Sequence, residues 1–257
     1  DAFVGGNNIM EEVAQPDGSV LPRFDYAVRV EGPLIAEIQR VVKRLWNRVV
    51  AYTGAGHVPV AGPAAREERA GTQRARFVVR DNILHRRDIE QEYLRAITRA
   101  RTEILIANAY FLPGLAFRRA LFDAAARGVR VTLFLQGKVE YVLQHYATPA
   151  LYGSLLDAGV EIYEYHKSFM HAKAAVIDRQ WATVGSSNID PFSLLLAREA
   201  NVVVRGDRFA GELRASLQAP MEAGPREVRP ESWRRRPLPE RAAHWACYGF
   251  ARLLTGV

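Results

Sequence analysis

A histidine and a lysine two positions apart open an apolar segment in the second half of the chain. The segment reads "HAKAAVID" from His171, and six residues separate its end from the loop "GSSN". Side chains two apart on a strand share a face, so His171 and Lys173 are predicted to point together from a strand whose other face is buried. A lysine buried there needs an anionic partner. A phosphate would supply that charge, and the histidine beside it would act as nucleophile or proton donor.

Further polar residues follow at spacings that suit the same site. Ser187 and Asn188 are candidates to donate hydrogen bonds to phosphate oxygens. Asp178 stands at the strand end, out of phase with His171, and is interpreted as a structural or supporting carboxylate. Glu199, eleven residues after Asn188, is a candidate to orient an imidazole through its other ring nitrogen. A lone H-x-K would favour an ordinary sheet edge, whereas the full string H-x-K-x4-D-x6-G-S-x-N favours a phosphate site.

The first residues of the chain repeat part of this pattern. The loop "GGNN" at 5–8 follows a hydrophobic strand, as "GSSN" does, and after each loop come a strand ending in glycine and an amphipathic helix. The two glycines are 27 positions apart in the first copy (5 to 32) and 21 apart in the second (185 to 206), so the first copy carries six extra residues. The repeat predicts two copies of one fold, of which the first lacks everything before its glycine loop.

Composition limits the class of protein and of partner. With 49% hydrophobic and 25% charged residues among 257, and a net charge of +7, the chain is predicted to be globular and soluble. Only four basic residues are lysines, which fits a GC-rich genome or a surface that grips phosphates through arginine. Such a surface suits an anionic membrane or nucleic acid. Cys247 is the sole cysteine, which excludes an intrachain disulfide and a thiolate metal cluster.

Strand and helix patterns alternate along the middle of the chain. We predict an α/β layered fold with a mixed central sheet flanked by helices, and a pseudo-two-fold repeat whose first lobe is incomplete. The predicted parts are the end of the first lobe at 1–64, the second lobe at 65–219, and a basic Pro/Arg-rich tail at 220–257. The tail ends in "HWACYGFARLLTGV", which fits either an interfacial helix on a bilayer or a helix packed on the body.

The string that begins at His171 is the HKD signature, and by it the chain resembles the phospholipase D superfamily. Flanking stretches are similar to bacterial cardiolipin synthases of the shorter B-type branch, among them "AFVGGNNI", "VRVEGP", "IANAYFLPG" and "GVRVTLFLQG". The resemblance covers about residues 1 to 219. It implies a phospholipase-D-type fold, in which two HKD motifs meet at a two-fold-like interface to form one site.

The resemblance also assigns the residues of both copies. The second HKD motif and its downstream positions are matched by His171, Lys173, Asp178, Ser187, Asn188 and Glu199. In the first copy, Asn8 matches the asparagine of the glycine loop. Asp25 matches a family carboxylate: it lies 17 positions after Asn8, and without the six extra residues this becomes the 11 positions of the second copy. Asn8 and Asp25 are thus expected in the phosphate-binding half-site of the first copy, and the attacking histidine is expected just ahead of residue 1.

The chemistry implied by the resemblance needs no metal and no other cofactor, because lysine and histidine supply the positive charge. One histidine attacks phosphorus to give a phosphohistidine, and the other protonates the leaving alcohol. The nucleophile usually lies in the first motif, so His171 is expected to be the general acid. The implied reaction is transfer of a phosphatidyl group from one phospholipid to the headgroup hydroxyl of another. Phosphatidylglycerol is the expected substrate, with phosphatidylethanolamine as a second candidate.

Other interpretations share the same motif. A phospholipase D hydrolase or an HKD-type DNA phosphodiesterase would use the same chemistry, and the second would also suit a basic surface. A degenerate scaffold would keep the fold without turnover, although the intact His171, Lys173 and Asn188 argue against it. We favour a lipid enzyme associated peripherally with an anionic bacterial cell membrane, with no nucleic-acid partner. Residues 1–257 alone are expected to have little activity, since half of the site is missing.

Overall fold

The computed structural model describes residues 1–8, 22–54, 70–224 and 226–255. The predicted boundary between residues 64 and 65, and most of the polar stretch around it, lie outside these ranges. The helices are α1 (Leu34–Thr53), α2 (Asp88–Arg99), α3 (Leu115–Ala126), α4 (Val142–Ala147), α5 (Tyr152–Asp157), α6 (Asp207–Glu222), α7 (Pro230–Arg234) and α8 (Leu238–Thr255). The strands are β1 (Ala2–Gly5), β2 (Ala27–Val30), β3 (Arg74–Arg80), β4 (Glu103–Asn108), β5 (Arg130–Gln136), β6 (Glu161–Tyr165), β7 (Lys173–Ile177), β8 (Trp181–Gly185), β9 (Glu199–Arg205) and β10 (Arg226–Glu227).

One mixed sheet of eight strands organises the second copy, and β1 and β2 form a separate antiparallel pair. The order in the large sheet is β10-β6-β5-β4-β7-β8-β9-β3. Strands β4, β5 and β6 are parallel to one another, whereas β7, β8, β9 and β3 alternate in direction. Strands β4, β7 and β8 are buried along their whole length, as expected for a sheet covered on both faces. The α/β fold with a mixed sheet is confirmed.

The strand directions divide the connections between two ends of the sheet. Strands β3, β4, β5, β6 and β8 finish at the end where β7 and β9 begin, which we call the histidine end because His171 lies there. The opposite end, called the far end, holds the short connections 100–102, 127–129, 158–160, 178–180 and 206. Every residue of the predicted phosphate site except Asp178 belongs to the histidine end or to the first copy.

The two faces of the sheet carry different partners. One face packs against α2, α3 and α5 in a cluster that includes Ile97, Phe117 and Leu155. The other face packs against α6 and against β1, β2 and the start of α1, through residues such as Val28 and Ile38. The described part of the first copy is therefore held against the second copy by an apolar layer, which places its loop near the histidine end.

The predicted repeat has a counterpart in the geometry. Strands β1 and β2 pair antiparallel and lead into α1, just as β8 and β9 pair and lead into α6. A Cβ added to Gly5 would lie 2.3 Å from the carbonyl oxygen of Tyr26, and one added to Gly185 would lie 2.5 Å from that of Ala200. Tyr26 follows Asp25 as Ala200 follows Glu199. The two carboxylates therefore occupy equivalent positions in the two copies.

Two details differ from the sequence predictions, and a third bears on the C-terminal tail. Strand β7 begins at Lys173, because the N–H of His171 bonds the carbonyl of Phe24 at 2.8 Å rather than a strand of the large sheet. Helix α6 continues through Pro220 to Glu222, beyond the predicted boundary at 219. Helix α8 packs on the body through His244, Tyr248 and Ala251, which was one of the two alternatives for the tail. Among the described residues, no helix is both long and apolar enough to cross a membrane.

Candidate active site

An imidazole–carboxylate pair joins the two copies. Nδ1 of His171 lies 2.9 Å from Oδ2 of Asp25, and the two side chains are only 12% and 9% exposed. A carboxylate at Nδ1 fixes the proton on that nitrogen when the ring is neutral and stabilises the ring when it is charged. Nε2 of His171 is then the nitrogen that can exchange a proton with a substrate. The sequence suggested Glu199 for such a role, whereas the carboxylate beside His171 comes from the other copy.

Backbone pairing sets the distance between these two side chains. The N–H of Phe24 donates to Phe169 at 2.8 Å, and the N–H of His171 donates back to Phe24 at 2.8 Å. The segment around Asp25 therefore runs alongside the segment that leads into β7. The ring of Phe24 packs between Phe134 and Tyr165 and anchors this segment in the apolar layer. Asp25 is thus fixed by packing on one side and by hydrogen bonds on the other.

Lys173 is 2% exposed and lies next to the pair. Its ammonium donates to the carbonyl of His171. Burial lowers its pKa from 10.5 to about 8, although the nearby carboxylates of Asp25 and Glu199 oppose that shift. A Cβ added to Gly6 would lie 2.9 Å from Cδ of Lys173, so glycine at this position allows the loop of the first copy to approach the lysine. Lys173 is a cation that an incoming phosphate would stabilise.

Ser187 and Asn188 follow β8 at the histidine end and are 1% and 8% exposed. The Ser187 hydroxyl donates to the carbonyl of Asn188 at 3.2 Å, and its N–H donates to Asn201 at 3.4 Å. Oδ1 of Asn188 is buried and has no hydrogen-bond partner among the described residues. Rotation of the amide by half a turn exchanges its oxygen and its nitrogen. In either orientation, the Asn188 amide offers a polar atom to a ligand in this site.

Glu199 lies at the start of β9 and accepts a hydrogen bond from the Ser186 hydroxyl. Burial raises the pKa of its carboxyl, while hydrogen bonds from Ser186 and Ser193 and the charges of Lys173 and Arg80 oppose the shift. Its position is equivalent to that of Asp25, which contacts the histidine of the opposite copy. By the same symmetry, Glu199 lies where it would meet the imidazole of a first HKD motif.

One of the predicted residues is placed apart from this group. Asp178 lies at the far end, five residues along the strand from Lys173, where its carboxylate accepts hydrogen bonds from the N–H groups of Arg101, Thr102 and Glu103. These backbone bonds hold its pKa below the ordinary value, although burial acts against them. Asp178 therefore joins two connections rather than touching a phosphate. Asn8 is exposed at the edge of the described residues.

Three polar residues that shape the histidine end were not predicted from the sequence. Arg80 is 2% exposed and donates to the carbonyls of Leu194 and Ala197, so it ties down the turn that follows Asn188. Asn108 ends β4, pairs with Lys173 across the sheet, and accepts from the N–H of Ile189 at 3.0 Å. The one available signal was the arginine that ends β3 directly after the apolar run "FVV".

The third missed residue is Asp190, two positions after Asn188. It accepts a hydrogen bond from the N–H of Ser193 at 2.8 Å and so begins the helical turn Phe192–Leu196. Burial raises its pKa to about 6, although the N–H groups of Ser193 and Phe192 act against that shift. Within the described ranges, no group of three His, Cys, Asp or Glu side chains is placed to hold a metal ion.

Comparison with known proteins decides the family. Residues 93–220 match the family described as "Cardiolipin synthase, PLD-like domain". The match includes the HKD string, the loop "GSSN" and Glu199. Cardiolipin synthase B of Salmonella typhi is 40% identical over 227 residues, which are 84% of this chain and 52% of that protein. The chain belongs to the phospholipase D superfamily. It spans about half the length of the curated relatives it matches.

Solved structures agree on the fold of this superfamily member. The phospholipase D family member Nuc from Salmonella typhimurium aligns with a TM-score of 0.52 at 19% identity, over 62% of this chain and 99% of its own. The phosphatidylserine synthase of Haemophilus influenzae aligns with a TM-score of 0.55 at 11% identity, over 88% of this chain and 56% of its own. Both alignments support the phospholipase-D-type fold.

Proposed function

We propose that this chain supplies one half of the active site of a phospholipid phosphatidyltransferase of the cardiolipin synthase type. The observation that carries the proposal is the His171–Asp25 pair beside the buried Lys173, because a proton-transfer group held by a carboxylate of the other copy lies next to a phosphate-binding cation. The similarity to cardiolipin synthase B over most of the chain supports the choice of a phospholipid as substrate.

His171 acts as the general acid in the first step. The imidazole of the other HKD motif attacks phosphorus of the donor phospholipid, and the bond from phosphorus to the headgroup oxygen breaks. Nε2 of His171 gives its proton to that oxygen, so the headgroup leaves as a neutral alcohol, which is glycerol if the donor is phosphatidylglycerol. The phosphatidyl group remains on the attacking imidazole as a phosphohistidine.

The second step reverses the role of His171. Its Nε2 now accepts the proton of the acceptor hydroxyl, the oxygen of that hydroxyl attacks phosphorus, and the attacking imidazole is released. Asp25 stabilises the charged ring before the first step and again when the ring accepts a proton in the second, and between the steps it keeps the proton of the neutral ring on Nδ1. Lys173 balances the negative charge of the phosphate, and the amide of Asn188 is placed to hydrogen-bond a phosphate oxygen. Water in place of the acceptor lipid would give hydrolysis instead of transfer.

Peripheral association with a bacterial cell membrane follows from the proposed substrate. Both the donor and the acceptor reside in a bilayer, and the net charge of +7 favours an anionic one. Phosphatidylglycerol is anionic and carries free headgroup hydroxyls, so it suits both roles, and phosphatidylethanolamine is the alternative donor. A nucleic-acid partner is not expected.

The test uses the enzyme with both HKD motifs present, labelled phosphatidylglycerol and, separately, labelled double-stranded DNA. Cardiolipin and glycerol should form, and His171→Asn should reduce the rate of release by about 100-fold or more. Addition of an activated donor whose leaving alcohol needs no proton should restore release to that variant. Cleaved DNA with unchanged lipid would contradict the proposed function. Residues 1–257 alone should show little transfer.

A further inference from the structure

Exposed apolar side chains are distributed unevenly between the two ends of the large sheet. At the histidine end, Leu196 in the β8–β9 connection is 52% exposed, and six large apolar side chains in the connections after β3, β4 and β5 are between 46% and 80% exposed: Ile83, Leu84, Leu115, Val139, Tyr141 and Val142. We call these six residues the apolar rim. In the part of the chain that the structure describes, the short connections of the far end expose no large apolar side chain. Valines in those connections, Val129 and Val160, are buried.

The rim belongs to three separate connections that surround the site. Ile83 and Leu84 lie between β3 and α2, Leu115 begins α3 after β4, and Val139 to Val142 follow β5. Strand β4 ends at Asn108, which pairs with Lys173. Strand β3 ends opposite Glu199. Because these strands carry or pair with site residues, the exposed side chains lie around the entrance to the site rather than on a remote surface.

Basic residues accompany the rim. Arg86 lies two residues after Leu84, and Arg119 lies one helical turn after Leu115. Both arginines are exposed. Lys167 and Arg198 are exposed on the two other connections of the histidine end. Glu140 carries the opposite charge within the rim but forms an ion pair with Arg23 at 2.5 Å. An apolar surface edged by cations matches the interface of an anionic bilayer, where acyl chains lie below negatively charged headgroups.

Helix α8 extends the same surface. Arg118, near the start of α3, lies 6.0 Å from the ring of Tyr248, so the second half of α8 runs toward the histidine end. Leu253 and Leu254, on the following turns, are 79% and 55% exposed. Four residues before α8 begins, Arg234 pairs with Asp157, the last residue of α5, at the far end. The helix thus presents apolar residues beside the rim.

We propose that the apolar rim and its cations are a docking surface for an anionic lipid bilayer. Rim side chains insert between headgroups at the level of the first acyl carbons, and Arg86, Arg119, Lys167 and Arg198 contact lipid phosphates. The entrance to the site then faces the bilayer, so a phospholipid reaches His171 with its acyl chains still in the membrane. This inference rests on the proposed function, since it takes the substrate to be a bilayer lipid.

A position-specific probe tests which end of the molecule meets the bilayer. Leu84→Cys and, as matched control, Leu238→Cys are made in a Cys247→Ser, His171→Ala background and labelled with a polarity-sensitive dye. Leu84 is 80% exposed at the histidine end, and Leu238 is 75% exposed four residues after Arg234, whose side chain reaches Asp157 at the far end. Vesicles of equal molar phosphatidylglycerol and phosphatidylcholine should blue-shift the dye at 84 and leave the dye at 238 unchanged. Equal shifts at both positions, or none at 84, would overturn the proposal.

Unlabelled variants measure the contribution of the rim to binding. In vesicle co-sedimentation, Leu84→Ser should lower the partition coefficient by about tenfold and Leu238→Ser should leave it unchanged. Circular dichroism melting checks that both variants fold. Binding should also weaken with added salt and on pure phosphatidylcholine. Equal binding by the two serine variants would contradict a docking role for the rim.

A double-stranded oligonucleotide provides the competing outcome. If it shifts the dye at 84 while vesicles do not, the rim is a nucleic-acid surface and the proposal is wrong. The assays also separate this inference from the proposed function. Docking through the rim without phosphatidyl transfer by the two-motif enzyme would contradict the function and leave the docking surface standing. Phosphatidyl transfer by the two-motif enzyme, together with unchanged vesicle binding by Leu84→Ser, would contradict the docking surface and leave the proposed function standing.

Discussion

Nδ1 of His171 and Oδ2 of Asp25 lie 2.9 Å apart although 146 positions separate the two residues in the chain. The pair therefore couples the proposed proton-transfer group of the second copy to a carboxylate of the first. Neither copy contains the complete pair, so the two copies must be packed together before the histidine is oriented. This relationship explains why the apolar layer between them matters for chemistry as well as for stability.

Removal of the Asp25 charge should affect proton transfer more than substrate binding. Asp25→Asn in the two-motif enzyme should reduce kcat by about 100-fold or more, because the amide favours the wrong tautomer of His171 and does not stabilise the charged ring. KM for phosphatidylglycerol should change little. Steady-state kinetics over a range of pH give both values. A fall in kcat no larger than that of Asp25→Glu would argue against the role of Asp25 as the carboxylate that orients His171.

The burial of Lys173 predicts how activity and stability depend on pH. Its pKa is lowered to about 8, so the free enzyme loses the phosphate-binding charge as the pH rises through that value. The ratio kcat/KM should therefore decline above about pH 8, since this ratio reports ionisations of the free enzyme. Lys173→Arg should retain its charge at that pH and remove this decline, whatever its absolute rate. An unchanged alkaline decline in Lys173→Arg would assign it to another group.

Because burial lowers the pKa of Lys173, the charged form of this side chain destabilises the folded state when no phosphate is bound. The unfolded chain keeps the proton up to about 10.5 while the folded chain releases it near 8, so the free energy of unfolding contributed by this group rises between these pH values. At pH 7, Lys173→Met should be more stable than the parent, by at most about 3.5 kcal/mol at 1.4 kcal/mol per pKa unit. Urea unfolding at pH 7 and pH 10 measures the difference, which should shrink at the higher pH.

Local pattern predicted more of the fold than of the contacts within the site. The strands around His171 are continuous apolar runs, and their existence and the mixed sheet follow from that pattern. The spacing from Asn8 to Asp25 also predicted that Asp25 is the equivalent of Glu199 in the first copy. Periodicity does not report which imidazole a carboxylate meets, because that depends on how the two copies pack. Arg80 could not be assigned either, since its partners are carbonyl oxygens more than 100 residues away.

Glu140 is expected to act through Arg23 and thereby through Asp25. Its carboxylate contacts Arg23 at 2.5 Å and accepts from the Tyr110 hydroxyl at 2.5 Å. Glu140→Gln breaks the ion pair two residues before Asp25, so kcat should fall by up to about 100-fold as Asp25 loses its position. Tyr110→Phe is the matched control, because it removes the other hydrogen bond and keeps the ion pair. Equal effects of the two variants on kcat would show that Glu140 does not position Asp25.

Asp178 belongs to the HKD signature, but its contacts predict an effect on stability rather than a direct effect on chemistry. It accepts hydrogen bonds from three consecutive N–H groups and from the Thr102 hydroxyl, and these bonds tie the β7–β8 turn to the start of β4. Asp178→Ala should lower the free energy of unfolding by about 2 kcal/mol at pH 7, because the turn loses these bonds and Asp178 has a positive φ of 51° that alanine disfavours. In urea unfolding, the difference from the parent should decrease as the pH falls through the lowered pKa of Asp178, since the parent carboxylate is then protonated. At temperatures where Asp178→Ala remains folded, the two-motif enzyme carrying it should keep most of its kcat. A loss of kcat as large as that of His171→Asn, with no loss of stability, would instead place Asp178 in the reaction.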